Sequence, residues 1–172
     1  MRTLAIIAFT SAVCFGKVAH AHVTLAQKEA PVGSSYRATF RVPHGCDNSP
    51  TLRVRVQIPD GVVGVKPMPK PGWEIDLAKG KYDKPYAMYH GSVTEGVKEV
   101  TWSGQLSDDY YDEFVISVYL TNDLEPGSTL YFPVVQECAK GSNRWIEIPA
   151  ADHSHAGHDK HPAPGLQLLP KK

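Results

Sequence analysis

The sequence predicts an all-β fold, a two-sheet antiparallel β-sandwich of the immunoglobulin or cupredoxin kind. Three observations carry this reading. From His22 to Pro149 the apolar residues alternate with polar ones instead of recurring at helical spacing. Clusters such as Pro59-Asp60-Gly61 and Glu125-Pro126-Gly127 cut the alternation into short pieces. The pieces are too many for a single meander, so two sheets must bury their apolar faces against each other.

The chain starts with Arg2, the apolar stretch Leu4 to Phe15 and the small-residue box Ala19-His20-Ala21, the layout of a secretory signal cleaved after Ala21. The apolar stretch is roughly a dozen residues, short of the ~20 that a bilayer-spanning helix needs. A lipoprotein anchor on Cys14 is the rival, but Val13 stands where that processing requires Gly or Ala. Residues 1–21 are therefore read as the signal, 22–149 as the sandwich and 150–172 as a flexible, His-rich tail without apolar periodicity. The expected location is the periplasm or the extracellular space.

Within the sandwich, Leu52 to Ile58 is the clearest strand: Leu52, Val54, Val56 and Ile58 share one face, and Arg53, Arg55 and Gln57 the other. Similar patterns cover Tyr36–Val42, Val97–Trp102, Phe114–Leu120 and Leu130–Val135. Lys66 to Trp73 carries Pro67, Pro69 and Pro71 and must be a loop or an edge, since proline donates no ladder hydrogen bond. With 42% hydrophobic residues, 21% charged residues and zero formal net charge, the composition is that of one globular domain. It offers no basic face for nucleic acid.

Signal cleavage removes Cys14 and leaves Cys46 and Cys138 in a compartment that permits disulfides. Pairing would close a loop of about 90 residues and stabilise the fold by a few kcal/mol. The other reading, a thiolate metal site, lacks the close second cysteine or histidine that zinc requires.

Cleavage also makes His22 the first residue. An N-terminal histidine offers its α-amine and ring Nδ1 together, and nitrogen-rich tetragonal sites favour Cu(II). His22 alone would leave chance as an equal explanation. Further stretches bear on it: His22-Val23-Thr24-Leu25, Glu29-Ala30-Pro31, Phe40-Arg41-Val42-Pro43, Val56-Gln57-Ile58-Pro59-Asp60-Gly61, Pro71-Gly72-Trp73, Asp112-Glu113-Phe114, and Phe132 to Cys138 running on to Arg144-Trp145-Ile146-Glu147. In these the sequence resembles the YcnI-like domain of bacterial copper proteins across nearly the whole mature chain.

The resemblance implies a mono-histidine brace for one Cu(II): amine and ring nitrogens of His22, the carboxylate of Glu29, and Trp145 packed beside the ion. Strand parity adds to this by placing Val23 and Leu25 inward, His22 and Thr24 outward. Counted back from Ile146 and Ile148 as inward residues, it also makes Trp145 and Glu147 point outward. An outward indole wants a partner such as a cation, or else simply covers a sheet edge. Trp102 reads as core and Trp73 as a loop plug. Met68 and Met88 read as packing, and the acidic group Asp108, Asp109, Asp112 and Glu113 as a solvated turn without calcium-loop spacing. His44 adjoins Cys46 and lies near the copper if the disulfide draws its turn toward the N-terminus. The tail histidines His153, His155, His158 and His161 are either an auxiliary capture arm for metal or an accident of composition.

Three functions compete. The favoured one is a non-enzymatic Cu(II)-binding protein of copper trafficking or homeostasis, with other periplasmic copper chaperones or a membrane copper transporter as partners and no preference on oligomeric state. A histidine-brace copper oxygenase needs a second histidine where the resemblance places a glutamate, and a hard carboxylate disfavours Cu(I). A metal-free interaction sandwich is the third, because the fold hosts many functions.

Overall fold

The computed structural model describes residues 22–89, 91–149 and 161–171. Its strands are β1 (Thr24–Leu25), β2 (Glu29–Pro31), β3 (Ser34–Val42), β4 (Thr51–Gln57), β5 (Val62–Pro67), β6 (Glu74–Met88), β7 (Gly91–Leu106), β8 (Asp112–Leu120), β9 (Thr129–Tyr131), β10 (Val134–Cys138), β11 (Ser142–Trp145) and β12 (Gly165–Leu169). One sheet has the order β1-β3-β8-β5, the facing sheet β11-β10-β4-β7-β6, and a small third sheet β2-β12-β9. The expected sandwich is present, and the third sheet is an addition to it.

Alternation builds the faces. Along β3, Tyr36, Ala38, Phe40 and Val42 are buried while Arg37 and Arg41 face solvent. Trp102, Phe40, Phe114 and Phe132 are the largest fully buried side chains, with Phe40 edge-on to Phe132 at 5.7 Å and Trp102 edge-on to Phe114 at 5.5 Å. Each such burial contributes about 1.5–3 kcal/mol. Trp73 plugs a loop as expected, edge-on to Phe114 at 4.8 Å. Pro67 ends β5, the edge strand of its sheet, where its missing N–H costs no ladder bond.

Three expectations need correction. Leu52 is 40% exposed, because the β4–β7 register shifts between Thr51 and Arg53 and turns Leu52 out of the core series. The stretch Leu130–Val135 is two strands in different sheets, β9 and β10, with the chain crossing over at Phe132-Pro133. The third concerns the C-terminal segment. Residues 150–160 lie outside the described residues, but β12 pairs in parallel with β2 and antiparallel with β9, and its Leu166 and Leu168 are fully buried. The sandwich therefore includes a final strand that the tail reading missed.

Cys46 and Cys138 are joined as a disulfide, their Cα atoms 5.9 Å apart and 92 positions separate in sequence. It ties the loop before β4 to the end of β10, the strand that β11 pairs with.

Candidate metal centre

Two chain segments meet at one end of the sandwich, the N-terminal stretch from His22 and the return segment 161–165. The first leads into β1, paired with β3 by Thr24 to Arg41 and Leu25 to Phe40. Its parity is as expected: Val23 and Leu25 are buried, His22 and Thr24 half-buried. The second is pinned to the residues after β11. Glu147 N–H donates to the His161 carbonyl (3.1 Å), Ala163 N–H to the Glu147 carbonyl (2.8 Å), and His161 N–H to Glu147 Oε2 (3.1 Å). His22, Lys28 and Pro162 to Gly165 line a groove of about 300 Å³ between the two segments.

Trp145 forms the wall behind them, and here the sequence-based orientation is overturned. Trp145 is 3% exposed and belongs to the core. It lies opposite Val134 in the β10–β11 ladder, and directly opposed residues share a face, so the buried Val134 draws the indole inward. The parity count from Ile148 fails because β11 ends at Trp145. The Ile146 N–H then folds back onto the Arg144 carbonyl at 3.0 Å, and Ile148 finishes 59% exposed.

The indole is fixed by a buried polar chain. Trp145 Nε1–H donates to Gln136 Oε1 (3.3 Å), while Gln136 Nε2 donates to the His44 carbonyl (2.6 Å) and to Thr51 Oγ1 (2.7 Å). Gln136 is 1% exposed, and its carbonyl oxygen lies 3.9 Å from Cys46 Sγ. Its importance was legible in principle: a polar residue in the inward series of β10, after Val134, must find partners. Which partners depends on long-range pairing.

Two imidazoles rest edge-on against this indole, His22 with ring centroids 5.2 Å apart and His161 at 5.1 Å. His161 Nδ1 is buried with no hydrogen-bond partner among the described residues. Glu29 starts β2 next to Lys28 of the groove, exposed, and forms no ion pair among the described residues. The β1–β2 turn that carries both is held by Tyr36, whose hydroxyl donates to the Gln27 carbonyl at 2.6 Å and whose pKa burial pushes up to about 12. His44 meets the site through its carbonyl, while its ring Nδ1 stays within its own loop, 2.7 Å from the Gly45 oxygen. His153, His155 and His158 lie outside the described residues.

Among the described residues no three His, Cys, Asp or Glu side chains gather as a metal cluster. A metal here must therefore use fewer side chains together with a main-chain donor, or draw exposed ones such as Glu29 toward it. Imidazole nitrogens, one of them buried and unpartnered, fit copper chemically. Two grooves elsewhere are larger, about 420 Å³ between β5 and the β6–β7 hairpin and about 430 Å³ on the outer face around Arg55 and Arg144. Neither is lined by histidine or cysteine, so donor chemistry and not volume singles out the His22 groove as the candidate. The acidic group at the β7–β8 turn is partly spent on ion pairs, Asp112 with Lys70 (2.6 Å) and Glu113 with Arg41 (2.8 Å).

Comparison with known proteins agrees with the architecture. The chain is similar to a solved structure of an uncharacterized protein from Nocardia farcinica, described as having an immunoglobulin-like fold: 27% identity, TM-score 0.62, covering 86% of this chain and 98% of that one. No curated protein matches it. A family model described as a domain of unknown function, DUF1775, matches residues 22–168, from the groove histidine through the buried part of β12. By that match, the chain belongs to the DUF1775 family, the YcnI-like domain.

Proposed function

We propose that the protein is exported, cleaved after Ala21, and holds one Cu(II) at the new N-terminus as a carrier or buffer in copper trafficking. The observation that carries the reading is the His22 ring set edge-on at 5.2 Å against a buried tryptophan, at the residue where the family match begins. The Cys46–Cys138 disulfide agrees with export.

In this reading the amine and ring nitrogens of His22 bind the ion, and the exposed Glu29 adds a carboxylate that favours Cu(II) over Cu(I). Trp145 contributes shape: its Nε1–H is already engaged by Gln136, so the indole shields the site without supplying a ligand. The role is to hold and hand over metal, without turnover, to other periplasmic copper chaperones or to a membrane copper transporter.

Tryptophan fluorescence tests it, since paramagnetic Cu(II) beside Trp145 quenches that indole's emission. One equivalent of Cu(II) added to the chain starting at His22 should quench, Trp145→Phe should remove most of the quenching, and Glu29→Ala should shift the half-saturation point to higher copper. Undiminished quenching in Trp145→Phe would place the ion elsewhere.

A further inference from the structure

His161 enters the site from the far end of the chain, and its chemistry is unspent. Its Nδ1 is buried without a hydrogen-bond partner among the described residues, a state that native proteins rarely leave unexplained. Its main chain, by contrast, is fully committed: the N–H donates to Glu147 Oε2 and the carbonyl accepts from Glu147 N–H, both at 3.1 Å, and Ala163 closes the same clasp at 2.8 Å. From this clasp β12 runs on into the core through Leu166 and Leu168. The side chain is thus held on a fixed backbone, edge-on at 5.1 Å to the indole that His22 touches at 5.2 Å.

We infer that His161 is a second imidazole ligand for the ion bound at His22. The inference rests on the copper reading proposed above. Both rings contact one side chain, and residue 22 as the chain terminus is tethered covalently on one side only, at Val23. His22 is therefore the less tethered of the two, and His161 the one whose main chain is held by the clasp. The site then spans both ends of the domain, with the nitrogens of residue 22 from one and a single imidazole from the other.

Pulsed electron paramagnetic resonance of the one-copper form counts the coordinated imidazoles. The chain starting at His22 should show two, and a variant with His153, His155 and His158 all replaced by alanine should also show two. His161→Gln, which keeps a polar side chain in the clasp, should show one and bind Cu(II) at least about tenfold more weakly, since even loss of an outer-shell partner typically costs about 10–100-fold. Far-ultraviolet circular dichroism and melting of His161→Gln report whether β12 remains docked, and His161→Asn gives a second variant if it does not. One imidazole in the native chain, or two retained in either His161 variant with unchanged affinity, would overturn the assignment. A chain extended by Gly-Ser before His22 separates the two claims. If the extension abolishes tight binding while His161→Gln is silent, the N-terminal site stands and the second ligand falls. If the extension changes nothing, the N-terminal reading itself fails.

Discussion

The two sides of the Trp145 indole are built differently. Behind it, Nε1–H, Gln136, Thr51 and the His44 carbonyl form a largely buried hydrogen-bond chain beside the Cys46–Cys138 disulfide. Where the two imidazoles meet it, His22 is half-buried and His161 Nδ1 has no partner among the described residues, while Glu29 in β2 is exposed. The rear is satisfied and the front is not. A protein that folds before it meets its ligand needs this division, because polar groups paired within the fold fix its shape and those left unpaired remain available for chemistry.

Breaking the rear should cost the most stability and leave the front's donors in place. With Cys46→Ala and Cys138→Ala together, which leaves no free thiol to capture copper, stability should fall by about 2–5 kcal/mol in denaturant unfolding. Copper stoichiometry below the lowered melting point should remain one. Loss of copper binding by a variant that is still folded would mean that the two sides are not separable.

Gln136→Leu sharpens the contrast with a comparable loss. It takes the Gln136 partner from the buried Trp145 Nε1–H and Thr51 Oγ1, each group left unpaired costing about 1–3 kcal/mol where water cannot reach it. Trp145 emission should broaden and shift as the indole loses its anchor. Unchanged emission and unchanged stability would show that the chain from Gln136 does not position the ring.

The smallest effect belongs to Tyr36 and is read by pH. Burial raises its pKa from 10.0 to about 12, so the folded state keeps the proton that the unfolded chain gives up. The stability from this group is complete below pH 10.0 and is lost as the pH climbs toward about 12. Tyr36→Phe should lose up to about 1.5 kcal/mol at neutral pH with its hydrogen bond to Gln27 and should decline less steeply at alkaline pH than the native chain. Parallel declines would remove Tyr36 from the account.

Much of this was legible in the sequence where local rules suffice. Period-two alternation identified β3 and β8, cysteine arithmetic identified the disulfide, and the parity of Val23 and Leu25 oriented the N-terminal strand. Parity failed where the ladder is irregular: a register shift exposes Leu52, and the fold-back at Ile146 reverses the side assigned to Trp145. The strand Gly165–Leu169 was missed because its five residues follow a polar, histidine-rich run and acquire their partners only at long range, from β2 near the start of the domain and from β9. For the same reason the sequence named His161 without showing where it goes. Its place is set by a bridge from Pro162 to Glu147, which no local pattern encodes.

The central claim is that the front of the site is made by the terminal nitrogen of residue 22. It is tested most directly by measuring Cu(II) affinity, against a competing chelator, for two otherwise identical chains, one starting at His22 and one carrying Gly-Ser before it. The extended chain should keep its fold and melting temperature without copper but lose tight binding, because the amine becomes an amide that no longer offers a lone pair. With copper at a hundredfold excess over its dissociation constant, the native end should also gain about 2.7 kcal/mol of stability that the extended chain lacks. Equal affinity and equal stabilisation for the two chains would contradict it.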